Sequence, residues 1–113
     1  GVDLLLLETF GNVDEVLEAI AAARAVGDLP IVASLTFAED GRTISGASPA
    51  EVGEALAPLG LAAIGGNCSV GPQRLLPAVA AMAHALADRA AASAGGTGAV
   101  TSGNGNDNDA GPG

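Results

Sequence analysis

The sequence predicts an α/β chain built on a parallel sheet, and three observations predict it. Apolar runs open at Leu4, Ile31 and Leu61, and each is followed by a segment rich in Ala, Leu and Val that carries helix punctuation. Continuous apolar runs suit parallel strands covered on both faces. Strand–helix alternation argues for right-handed crossovers within one parallel sheet. The three runs start about 27 and about 30 residues apart, close to the ~31 residues of one unit of a (βα)8 barrel. Spacing alone fits three units of such a barrel and an open doubly wound sheet equally well.

The elements follow in order. Strands are expected near 3–8, 30–36 and 61–66. After the first, Asn12 is placed to cap a helix, with Glu15 three residues on to reach back in a capping box. Val13, Val16, Leu17 and Ile20 then share one helical face, and Gly27 is a stop signal. The segment "SPAEVGEALAPLG" repeats this grammar, with Ser48 as N-cap, Pro49 at N1, Glu51 at N3 and Gly60 as stop. A third helix is expected over about 73–92, with Leu75, Val79, Met82 and Leu86 on its buried face and Pro77 in its first turn or kinking it. The first 93 residues (1–93) therefore form one partial-barrel or open-sheet unit. Residues 94–113 are rich in Gly, Asn and Asp, bury too little to offset their ordering entropy, and are expected to be a disordered tail.

Composition narrows the function classes. With 113 residues, 49% of them hydrophobic but only two Phe and no Trp or Tyr, the core must be modest and made of Leu, Ile and Val. A net charge of −9 repels phosphate backbones and anionic lipid, so neither nucleic acid nor a membrane is an expected partner. A single cysteine makes no internal disulfide, which suits a reducing, cytoplasmic setting. No basic-then-apolar leader is visible. The most apolar stretch, Leu75 to Ala87, is broken by Pro77 and His84 and is well short of the ~20 residues of a membrane span.

In parallel α/β folds, chemistry gathers at the C-terminal ends of strands. Glu8 ends the first run, Thr36 and Phe37 the second, Asn67 and Cys68 the third. A carboxylate directly after four leucines either simply reaches solvent or sits in a barrel mouth, where it suits a cationic group such as an α-amino group. Cys68 lies in "GGNCSVGP", where glycines permit close approach and a following helix start favours a thiolate. A small buried apolar residue is the plainer reading of the same cysteine. His84, the only histidine, falls on the helix face opposite Leu75 and reads as solvated, so no Cys/His couple is expected. Zinc wants three or four protein ligands, and one is seen. Dinucleotide and Walker patterns are absent.

Three stretches, "GVDLLLLETF", "PIVASLTFAEDGRTISGASPAEV" and "GGNCSVGPQRLLP", resemble the homocysteine-binding domain of homocysteine S-methyltransferases. The likeness is nearest to the bacterial type found in cobalamin-dependent methionine synthase or fused to methylenetetrahydrofolate reductase, and it covers about residues 1–83. The resemblance implies a (βα)8 TIM barrel, of which this chain is an internal fragment of about three βα units. It implies a methyltransferase of methionine biosynthesis that holds homocysteine as a zinc thiolate for methyl transfer from a donor such as methyltetrahydrofolate or methylcobalamin. It assigns Cys68 as a zinc ligand and Glu8 and Asn67 to substrate, Glu8 through the homocysteine amino group. The family's paired cysteines, in a Gly-Gly-Cys-Cys-Gly motif further along, have no counterpart here, so the chain alone is expected to be inactive.

Two other readings stand beside this one. The chain could be a non-catalytic partial barrel acting only through association, with itself or with the missing barrel segments. It could also be a small anion-binding module that uses the glycine-rich turn at 65–72.

Overall fold

The computed structural model describes residues 1–110, with side chains as far as Ala94. Strand β1 (Leu5–Phe10) leads to helix α1 (Val13–Val26), strand β2 (Ile31–Leu35), helix α2 (Pro49–Leu56), a 3-10 turn over Ala57–Leu59, strand β3 (Ala63–Gly66) and helix α3 (Pro72–Ala110). Helix α3 runs past its expected end near residue 92, through 94–110 of the stretch expected to be a disordered tail. The side chains from Gly95 on, and residues 111–113 altogether, lie outside the described residues.

The sheet is parallel throughout, in the order β1-β2-β3. All three expected strands are present. The first is shifted, because Thr9 and Phe10 belong to β1 rather than following it, while Asp3 and Leu4 precede it. The caps work as side-chain acceptors for the helix's orphan amides. Asn12 accepts from the amides of Asp14 and Glu15, and the reciprocal box closes only at α2, between Ser48 and Glu51. Gly60 ends the 3-10 turn at φ 65°.

One core joins the layers. Val16 and Ile20 from α1, Val52 and Leu56 from α2, and Ala78 and Met82 from α3 pack with Ile31, Ala33 and Leu35 of β2 and with Phe37. Alternate residues of a strand face opposite sides, so all three helices meet the face of β2 that carries 31, 33 and 35. The opposite face, carrying Leu4, Leu6, Val32 and Ala63, has no helix against it among the described residues, and Leu4 and Leu6 are exposed there. A doubly wound sheet would place helices on both faces. The one-sided cover is consistent with a partial βα barrel.

The buried face of α3 differs from the expected one. Met82 is buried and Leu75 partly so, but Val79 and Leu86 are exposed, and Ala78 and Ala85 take the inner positions. Alanines win because α2 presses close to α3, and larger side chains have no room between them. Pro77 lies inside α3, beyond its first turn. His84 is exposed, as expected.

Candidate functional site at the C-terminal ends of the strands

The site begins with an irregularity in β1. Leu7 pairs with Ala33, yet Phe10 pairs with Leu35. Three steps along β1 therefore match two along β2, which is a β-bulge. Thr9 absorbs the extra residue at φ 65°, a left-handed conformation uncommon for a β-branched side chain. The alternation is reset, so Glu8 and Thr9 are both exposed in succession while Phe10 returns to the core edge. Bulges of this kind re-aim side chains beside functional sites.

The end of β3 supplies the other half. Gly66 lies beneath Leu75 and Phe37, and a Cβ there would come within 2.8 Å of Leu75 Cδ1. A side chain at this position would have to push the Leu75 tip and the Phe37 ring aside. The Asn67 amide donates to the Leu35 carbonyl at 3.0 Å, which continues the ladder one residue past the strand. Cys68 and Ser69 then turn away with φ 61° and 72°. Cys68 is exposed, not the small buried residue of the plainer reading.

Asn67 joins the two halves. Its Oδ1 accepts from the Thr9 amide at 3.1 Å and from Ser34 Oγ at 2.7 Å. Its Nδ2 donates to Glu8 Oε2 at 3.0 Å, to Thr9 Oγ1 at 2.6 Å and to Cys68 Sγ at 3.5 Å. Thr9 Oγ1 also donates to Glu8 Oε2. β1 and β3 are not neighbours in the sheet, so this side chain reaches across β2 and ties all three strand ends together. The structure thus brings Glu8, Asn67 and Cys68 into one cluster. Thr9 and Ser34 belong to it as well and went unnoticed in the sequence. The doubled "TF" of Thr9-Phe10 and Thr36-Phe37 was the only available hint.

Beside the cluster lies a cleft of about 270 Å³, lined by Thr9, Gly11, Thr36, Ala38, Ile44 and Ser69. The Thr36 hydroxyl is buried there with no hydrogen-bond partner, alone in this among the described residues. The β2–α2 loop forms one wall. Within that loop the Arg42 guanidinium donates to the Gly46 carbonyl. A larger hollow of about 550 Å³ opens at the other end of the sheet, around Arg24, Asp28 and Gly60. There the Arg24 guanidinium donates to the Leu59 carbonyl. That hollow holds no convergent polar cluster, and we place the chemistry at the strand C-terminal ends instead.

The fit to zinc is partial. An exposed thiol at a strand end is a suitable soft donor. However, no group of three His, Cys, Asp or Glu able to hold a metal exists among the described residues. The described residues do not complete a zinc site. Within the glycine-rich turn, the amides of Asn67 and Val70 are already spent on the Leu35 and Cys68 carbonyls. Among the described residues no helix is long and apolar enough to cross a membrane.

No curated protein matches the chain. The sequence model of the family described as homocysteine S-methyltransferase matches residues 1–111. With that match, the parallel βα units and the strand-end cluster in view, the chain belongs to the homocysteine S-methyltransferase family.

Proposed function

We propose that this chain is a βα segment of a homocysteine S-methyltransferase, with substrate held at the C-terminal ends of β1 and β3. The observation that carries the reading is the convergence of Glu8 and Cys68, far apart in sequence, on the single amide of Asn67. Homocysteine carries an ammonium at one end and a thiol at the other. An exposed carboxylate and an exposed thiol at neighbouring strand ends suit that pair of groups.

Glu8 takes the ammonium through a charge-assisted hydrogen bond. Its carboxylate is oriented by Thr9 Oγ1 and Asn67 Nδ2. Cys68 marks the sulfur end and supplies one of the donors of a zinc site whose remaining donors come from outside the described residues. The methyl donor, methyltetrahydrofolate or methylcobalamin on the resemblance, comes to the same C-terminal ends of the strands. Methionine forms as the homocysteine sulfur, its proton already lost to solvent, gains a bond to the methyl carbon and the donor loses its own.

The apolar open face supports a linked reading. Val2, Leu4 and Leu6 are exposed, and β1 and β3 each leave an edge unpaired among the described residues. The segment therefore acts in association with further barrel strands.

The test is calorimetric titration of L-homocysteine into the family domain that contains this segment, with Glu8→Gln and Cys68→Ala variants. Glu8→Gln should weaken binding roughly tenfold, as a charge-assisted contact becomes a neutral one. Cys68→Ala should lose both zinc and methyl transfer. Unchanged homocysteine affinity in both variants would reject the reading.

A further inference from the structure

The geometry points to Asn67 as a positioning residue that holds the Glu8 carboxylate at a fixed place relative to the Cys68 thiol, in place of the direct substrate contact that the resemblance implies. A primary amide offers two N–H donors and two acceptor lone pairs. Oδ1 already accepts from the Thr9 amide and Ser34 Oγ. Nδ2 already serves three acceptors, Glu8 Oε2, Thr9 Oγ1 and Cys68 Sγ. The amide has no capacity left for a ligand.

The two halves of that amide do different work. The acceptor half holds backbone, because the bond from the Thr9 amide stabilises the bulge that turns Glu8 outward. Ser34, largely buried, anchors the same oxygen from β2 and so fixes the amide plane. The donor half then sets side chains, with the carboxylate on one side and the thiol on the other. Without Asn67 the Glu8 side chain, exposed and three rotatable bonds long, would keep only the bond from Thr9 Oγ1 and lose its fixed relation to the thiol. The inference rests on reading Glu8 and Cys68 as two ends of one site, but it requires neither zinc nor homocysteine.

A pair of thiol reagents tests it on the chain as it stands. The Cys68 thiolate displaces methanesulfinate from a methanethiosulfonate, leaving a mixed disulfide. One reagent carries a trimethylammonium group two carbons from its sulfur, and methyl methanethiosulfonate is the neutral reference. Dividing the two rates at one pH cancels the thiolate fraction and leaves the attraction of a nearby anion for the cation. A carboxylate held within a Debye length should make the wild-type ratio roughly threefold that of Glu8→Gln at low salt.

Asn67→Ala is expected to lower the ratio part of the way to the Glu8→Gln value, because Glu8 then keeps its charge but not its fixed distance from the thiol. Asn67→Ser, whose hydroxyl is too short to reach Glu8, should behave the same way and decides the matter if Asn67→Ala loses its helical circular dichroism. A folded Asn67 variant that melts lower yet keeps the wild-type ratio would show a merely structural role and overturn the inference. Equal ratios in wild type and Glu8→Gln would also overturn it. Failure of homocysteine to bind the family domain would leave this assay unmoved, so the two readings fail separately.

Discussion

A Cβ built on Gly53 would stand 2.8 Å from the Cβ of Ala85 and 3.1 Å from the Met82 carbonyl oxygen. This contact sets how closely α2 lies on α3, and it explains why alanines rather than leucines line that part of α3. Gly53→Ala would gain up to ~1 kcal/mol of helix propensity. The clash with backbone should outweigh that gain, for a net loss of about 1–2 kcal/mol. Urea unfolding of the variant checks this, and Gly53→Ala with Ala85→Gly should recover part of the loss.

Thr36 offers a change in the opposite direction. Its hydroxyl is buried and unpartnered, and a buried polar group without a hydrogen bond costs free energy. Thr36→Val keeps the shape and removes the hydroxyl. Stability should rise by about 1 kcal/mol, read as a higher melting temperature. A lower melting temperature would mean that the hydroxyl is satisfied in solution.

Ser69 carries backbone strain, with φ 72° directly after Cys68 at 61°. A left-handed conformation costs an L-residue roughly 1–2 kcal/mol and costs glycine little. Ser69→Gly should therefore stabilise the chain by up to about 1 kcal/mol, with its circular-dichroism spectrum unchanged. Destabilisation would show that the serine side chain contributes more than its strain costs.

Leu6 is 57% exposed and Val2 64%, on the face that no helix covers. Apolar faces and unpaired strand edges promote association. Sedimentation velocity of the wild-type chain should show concentration-dependent association. Leu6→Lys should reduce it without changing the helical signal. A wild-type chain that stays monomeric at all concentrations would contradict this.

Much of the fold was legible because its signals are local. The caps at Asn12 and Ser48, Pro49 at the start of α2 and the apolar runs of the three strands each act within a few residues. Each therefore works the same way in the sequence as in the structure. The α3 face was misread, because periodicity ranks Val79 and Leu86 as core by their size alone. Only the nearness of α2 at Gly53 shows why a small residue, Ala85, holds an inner position. The chain ends of β1 were misplaced for a related reason. A bulge breaks the period-two alternation, so Glu8-Thr9-Phe10 reads as a strand end when it is strand.

The sequence by itself determined a parallel α/β chain, its helix caps, and Glu8, Asn67 and Cys68 as the residues of interest. Tertiary structure decided how those residues are related. No local pattern couples Asn67 to Thr9 and Ser34, since the three lie on different strands and meet only when parallel pairing sets the register across β2. The strand order β1-β2-β3, joined by crossovers of one hand, decided that all helices cover one face, a choice that strand spacing left open. The physical reason is that caps and apolar periodicity act over one or two turns of chain. A hydrogen-bonded cluster spanning three strand ends exists only once the sheet has formed.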